Sequence, residues 1–89
     1  MDKKTNAMTP ELIKSIVDKT DSKPIEKNQL FCYFAIMFTN LRLIDIAEMI
    51  NRTHADVIYS RRVVINRKNT DQNYNRKIEN LKLSLKSLS

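Results

Sequence analysis

The stretch LIDIAEMINRTHADVIYSRRVV, residues 43–64, contains two helical patterns with a short break between them. The first pattern predicts a short amphipathic helix, because its apolar residues recur at the spacing of one helix face. These residues are Leu43, Ile46, Ala47 and Ile50. Asn51 and Arg52 interrupt the apolar spacing, so we expect the chain to turn there.

The second pattern opens with Thr53, a residue type that caps helix N-termini because its side-chain oxygen accepts a hydrogen bond from a first-turn N–H. Asp56 stands three positions later and gives the spacing of a capping box, in which glutamate is more usual. This second helix should continue to about Asn69. Two helices joined by a turn of about three residues have the outline of a helix-turn-helix.

The two sides of this second helix differ in chemistry when its residues are placed about 100° apart. The side expected to face the core carries Val57, Ile58, Arg61, Val64 and Ile65. The side expected to face solvent or a ligand carries Ala55, Tyr59, Arg62 and Asn66. Because Arg61 lies on the inward side, we expect it to pair with an acid such as Asp45 or Glu48.

Composition favours helices along the rest of the chain as well. The 89 residues include no glycine and two prolines, whereas β-hairpins commonly need glycine in their turns. Thr9, Pro10 and Glu11 predict the start of a first helix, with a cap, a proline and an acid in the favoured order. A further helix is expected from about Ile25 to Asn40, and a last one from about Thr70 to Ser87.

The helix from Ile25 should be central and mostly buried, because apolar residues cover most of its surface. They include Leu30, Phe31, Cys32, Tyr33, Phe34, Met37 and Phe38. The last helix should bury a stripe made of Ile78, Leu81, Leu85 and Leu88. Its exposed side should carry Arg76, Lys77, Lys82 and Lys86. The sequence therefore predicts an all-α fold: a five-helix bundle over residues 9–89 that contains the helix-turn-helix, after a flexible leader at 1–8.

The chain has a net charge of +6, and its basic excess is unevenly placed. Residues 1–41 carry six basic and five acidic groups, whereas residues 42–89 carry ten and five. A basic half on a small helical domain favours a polyanionic partner, most often nucleic acid. A solvated surface that keeps the protein soluble is an alternative of about equal weight.

Cys32 and His54 are the only residues of their types, so the sequence predicts neither a disulfide nor a zinc site. We expect Cys32 to be a buried, inert thiol in a reducing compartment.

No paired carboxylates and no nucleophile with a base form a recognisable motif, so we expect no enzyme, cofactor or small-molecule substrate. The apolar run 30–38 is too short to span a bilayer, and the N-terminus lacks an apolar signal segment. A cytoplasmic monomer without membrane contact is expected.

A DNA-recognition helix needs residues at its N-terminus that reach base edges, with cations nearby for phosphates. The residues at that end of the second helix are Arg52, Thr53, His54 and Ala55. Threonine and histidine can donate or accept hydrogen bonds at base edges or phosphates. A plain structural turn is the alternative, in which Thr53 acts only as a cap and His54 is a polar turn residue.

Over residues 41–64, the sequence LRLIDIAEMINRTHADVIYSRRVV resembles the signature of the C-terminal DNA-binding domain of the bacterial replication initiator DnaA. That signature is approximately S-L-x-x-I-G-x-x-F-G-G-R-D-H-T-T-V-x-H-A-x-x-K-I. Arg52, His54 and Val57 match its arginine, its histidine and the valine that follows. Leu43, Ile46, Ala47 and Ile50 stand at its Leu, Ile, Gly and Phe. A looser similarity in helix order and spacing extends over about residues 9–88.

The resemblance implies a helical domain that places a recognition helix, here about residues 53–69, in the major groove of duplex DNA. It also implies a backbone contact from the loop ahead of the long helix, where this chain carries Lys23 and Lys27. Ala55 and Asp56 replace two threonines of the signature, so the family's target sequence is not implied. Initiator activity is not implied either, because nothing here resembles a phosphate-binding glycine loop.

The sequence therefore predicts a stand-alone double-stranded DNA-binding module that acts in replication or transcription. The residues expected to contact DNA are Arg52, Thr53, His54, Ala55, Tyr59, Arg62, Asn66, Lys23 and Lys27. The alternative is a protein-interaction module, in which a helix-turn-helix no longer used for DNA docks on a larger replication or phage protein.

Overall fold

A computed structural model describes residues 9–88, with side chains through residue 87, and contains five α-helices. They are α1 (Pro10–Asp18), α2 (Pro24–Phe38), α3 (Leu43–Met49), α4 (His54–Thr70) and α5 (Gln72–Leu88). No strand occurs in this part of the chain. The predicted all-α, five-helix class is confirmed, and the predicted helix bounds agree within two residues. The predicted leader at 1–8 lies outside the described residues.

Short polar side chains set where the outer helices begin. Thr9 precedes α1, and its Oγ1 accepts a hydrogen bond from the Leu12 N–H at 3.3 Å, as a helix N-cap does. A single extended residue, Asp71, separates α4 from α5, and its carboxylate accepts from the Tyr74 N–H at 3.1 Å. The chain therefore changes direction between the last two helices without a loop.

The second helix forms the centre of the bundle. All six residues from Leu30 to Ala35 are buried, and consecutive residues of a helix point in every direction around its axis. Neighbouring helices must therefore cover α2 on several sides, and α1, α3 and α4 all contact it. The other helices contribute to the same core through Ile13, Val17, Ile46, Ala47, Val57, Val64, Tyr74, Ile78 and Leu85.

A polar cluster around Arg67 ties three helices together at the edge of the core. The Arg67 guanidinium in α4 lies 3.4 Å from the Glu26 carboxylate in α2. It also stands over the Tyr74 ring in α5, 4.2 Å from the ring centroid, in a cation–π contact.

Lys77, predicted on the exposed side of α5, is half-buried and donates a hydrogen bond to the Ser22 hydroxyl.

Three side chains predicted to face the core lie at the surface instead. Ile58 and Arg61 are exposed because α4 reaches the core only through the narrow strip of Val57 and Val64. Met37 is exposed near the end of α2, beyond the buried stretch that ends at Ala35. The predicted pairing of Arg61 with Asp45 or Glu48 is also wrong, since no ion pair joins Arg61 to a described residue.

Asp45 is bound within its own helix turn. The Arg42 guanidinium donates to the Asp45 carboxylate at 3.1 Å, and the Arg42 backbone N–H donates to it at 3.0 Å. These hydrogen bonds lower the pKa of the Asp45 carboxyl from its ordinary value. The carboxylate thus caps the start of α3 and is unavailable to Arg61.

Cys32 is fully buried in α2, as predicted. Burial raises the pKa of its thiol from 9.0 to about 11, partly offset by a hydrogen bond with Ser60 of α4. Reactivity of cysteine requires the thiolate, so this thiol should be chemically inert near neutral pH.

Two leucines of α5 provide a matched test of the packing. Leu85 is 0% exposed and Leu83 is 64% exposed. We predict that Leu85→Ala lowers the free energy of unfolding by about 2–5 kcal/mol, because it removes buried apolar surface and leaves a cavity. Leu83→Ala should change it by less than about 0.5 kcal/mol. Urea unfolding followed by circular dichroism measures both, and equal losses would show that α5 does not pack as described.

Candidate nucleic-acid interface

The turn between α3 and α4 is closed by a left-handed residue. Asn51 has φ of 58°, a conformation that asparagine tolerates better than most residues. Its N–H donates to the Glu48 carbonyl at 3.2 Å, and the Arg52 N–H donates to the Ala47 carbonyl at 2.9 Å. This bond pair is a Schellman motif, which satisfies the last carbonyls of α3 and ends the helix sharply.

A reciprocal capping box then starts α4. The Thr53 Oγ1 accepts from the Asp56 N–H at 3.2 Å, and the Asp56 carboxylate accepts from the Thr53 N–H at 3.3 Å. The predicted reciprocal bond is therefore confirmed, and Asp56 has a structural role at the helix end. Two short motifs, one on each side of Arg52, thus fix how the N-terminus of α4 is presented.

The seven predicted residues of the turn and of α4 are all exposed in the structure. They are Arg52, Thr53, His54, Ala55, Tyr59, Arg62 and Asn66. From Thr53 to Asn66 they extend over about 20 Å of helix length, at about 1.5 Å per residue. Ala55, Tyr59, Arg62 and Asn66 share the outer side of α4, opposite Val57 and Val64. We call these seven residues the α4 outer surface.

The structure separates the two predicted lysines of α2. Lys23 is exposed immediately before α2, whereas the Lys27 Nζ donates to the Asp18 carbonyl of α1 at 3.1 Å. Lys27 lines a groove between α1 and α2, together with Asp18. Its ammonium group is therefore already engaged, and of the two lysines only Lys23 has no such bond among the described residues.

A second, smaller groove joins the start of α2 to the α4 outer surface. It has a volume of about 170 Å³, and Arg52, Tyr59, Ile25 and Asn28 line it. We call it the Tyr59 groove. The sequence analysis did not identify Ile25 as an exposed residue, because it treated Ile25 only as the start of a buried helix. The position of Ile25 next to Pro24, in the first turn of α2, was the feature that could have indicated its exposure.

Positive charge at this interface is concentrated toward the N-terminal half of α4. Among the described residues, neither Arg52 nor Arg62 forms an ion pair or a side-chain hydrogen bond. Near the other end of α4, Arg67 pairs with Glu26, and the Lys68 Nζ lies 3.8 Å from the Glu79 carboxylate. The cations available to an external anion are therefore those at the turn and the first half of α4.

We also searched the described residues for a partner of His54, a metal site and a membrane-spanning helix. His54 has no hydrogen-bond or ion-pair partner among them, and no group of three His, Cys, Asp or Glu residues there could hold a metal ion. None of the described helices is long and apolar enough to cross a membrane.

Comparisons with known proteins add no information about this site. Neither the family models, nor the curated proteins, nor the solved structures contain a match to this chain. The likeness to the DnaA C-terminal domain remains a matter of sequence pattern.

The cap at Thr53 can be tested separately from any ligand. We predict that Thr53→Ala lowers the free energy of unfolding by about 1 kcal/mol, because the Asp56 N–H loses its acceptor. Thr53→Ser keeps the hydroxyl and should cost clearly less than Thr53→Ala. Thermal and urea unfolding provide the measurement, and equal effects from both substitutions would rule out the hydroxyl as the stabilising group.

Proposed function

We propose that this chain is a double-stranded DNA-binding module that uses α4 as the recognition helix of a helix-turn-helix. The observation that supports it best is the α4 outer surface, where Arg52 lies next to Thr53 and His54 and Arg62 lies farther along the helix. Both arginines are exposed and have no ion-pair partner among the described residues. The sequence resemblance to the DnaA C-terminal domain points in the same direction.

The dimensions and the chemistry of this surface suit a major groove. The groove is about 12 Å wide and admits one α-helix, whose N-terminal residues contact base edges. His54 and Thr53 supply hydrogen-bonding groups at that end, and Ala55 leaves room for close approach. The partial positive charge of the helix N-terminus adds to the attraction for phosphate.

Side chains farther along serve to fix the position of the helix. Arg62 contacts the phosphate backbone, and Asn66 and Tyr59 lie on the same side of α4 within reach of the groove wall. Lys23 supplies a second backbone contact from the start of α2. Lys27 contributes less, because its ammonium group would first have to leave the Asp18 carbonyl.

The module acts as a cytoplasmic monomer in replication or transcription. A protein-interaction module, docking on a larger replication or phage protein, is the second candidate. It is favoured by one observation: Ile25 and Tyr59, which line the Tyr59 groove, are 65% and 63% exposed. Exposed apolar side chains that cluster in this way are typical of protein contacts.

Two substitutions separate phosphate contacts from base contacts. We predict that Arg62→Ala weakens binding to every duplex by about fivefold and lowers the salt slope by about 0.9, because one phosphate contact is lost. His54→Ala should instead change which sequences are preferred, because base contacts carry specificity. Fluorescence anisotropy over a salt series and a selection from random duplexes measure the two effects.

Arg76→Ala is the matched control for the loss of one charge. Arg76 is exposed on α5 and has no ion-pair partner among the described residues. It should leave affinity nearly unchanged. If the wild-type protein fails to bind a generic duplex at low salt, the DNA proposal is wrong and the protein-interaction candidate takes its place.

A further inference from the structure

A groove between the second half of α2 and the second half of α4 is not used by the proposed DNA contact. Its volume is about 250 Å³. Ile36, Met37 and Ile65 provide its apolar lining, and Arg61 and Lys68 provide its charged groups. We call it the Met37 groove.

The apolar lining of the Met37 groove is open to solvent. Met37 is exposed, and Ile65 is only partly covered by the core. The exposed Ile58 lies seven residues before Ile65 on the same side of α4, so it extends the apolar strip along the helix. Methionine adapts its shape to different apolar partners, which suits such a surface to binding.

The charge of the Met37 groove is one-sided. No aspartate or glutamate lines it, and Arg61 has neither an ion pair nor a hydrogen bond with any described residue. Lys68 is partly neutralised by Glu79 at 3.8 Å, so Arg61 provides most of the available positive charge.

The larger groove between α1 and α2 has no such excess of positive charge. There Glu11 and Asp18 oppose Lys14 and Lys27, so the charges of its lining balance. The Tyr59 groove lacks an excess as well, because Asp56 lines it together with Arg52. Of the three grooves described, the Met37 groove alone combines an apolar strip with positive charge that no acid in its lining balances.

We infer that the Met37 groove binds an acidic amphipathic helix of another protein. Apolar side chains on one face of such a helix would cover Met37 and Ile65, as helix-in-groove complexes do, and a carboxylate at its edge would meet Arg61. The pairing follows from charge complementarity, which sets the choice and orientation of a partner.

This inference does not rest on DNA binding. Arg61 and Arg62 are consecutive in α4, so their side chains leave the helix about 100° apart. Arg61 lines the Met37 groove, whereas Arg62 belongs to the α4 outer surface. DNA and a protein helix could therefore occupy the two surfaces at the same time.

A charge-swap experiment tests the inference directly. The probe is a fluorescein-labelled peptide of roughly 14 residues, with leucines at helical i, i+3, i+4 and i+7 positions and glutamates beside them. A second peptide carries lysine in place of each glutamate. Anisotropy titrations use the wild-type protein and the Arg61→Glu, Arg62→Glu and Met37→Glu variants, whose folding is checked by circular dichroism.

The expected result is selective binding of the acidic peptide. Arg61→Glu and Met37→Glu should each weaken it about tenfold, Arg62→Glu by less than about twofold, and Arg61→Glu should favour the lysine peptide. Failure of the acidic peptide to bind, or equal losses from Arg61→Glu and Arg62→Glu, would overturn the inference. So would displacement of the peptide by duplex DNA, because the groove would then belong to the DNA surface.

Discussion

Burial of the middle of α2 is the constraint on which the rest of this structure depends. Six consecutive residues, Leu30 to Ala35, can be removed from water only if other helices surround them. The chain has no disulfide partner for Cys32, so apolar packing must supply the stability. The short helices α1 and α3 and the longer α4 meet this need by packing against α2 from different directions.

That constraint also shapes the candidate site. Val57 and Val64 are the buried residues of α4, so only a narrow strip of this helix packs against the core and most of its surface is exposed. The exposed remainder divides into the α4 outer surface and the side that borders the Met37 groove. Consecutive arginines, Arg61 and Arg62, consequently serve different surfaces of the same helix.

Local signals made most of the fold predictable from the sequence. The Thr53–Asp56 capping spacing, the turn at Asn51 and Arg52 and the apolar run of α2 depend on neighbours in the chain, and each was found where expected. Helix projection also placed Tyr59 and Arg62 outward correctly.

Features that depend on how helices cross could not be predicted in the same way. A helical wheel assigns Ile58 and Arg61 to an inward side, but the width of the strip that α2 and α3 cover is fixed only by packing. Long-range partners were missed for the same reason: the Arg67–Glu26 ion pair and the Lys27–Asp18 hydrogen bond join residues on different helices. Those contacts decide which cations remain available to a ligand.

The central claim is that a DNA duplex meets the N-terminal half of α4. The most direct measurement is a titration of the ¹⁵N-labelled protein with a random-sequence duplex at low salt, followed by amide chemical shifts. The account predicts salt-sensitive shifts at Arg52 to Ala55 and along α4 to Asn66, with α5 beyond Tyr74 nearly unchanged. An unperturbed spectrum, or shifts centred on α5, would contradict it.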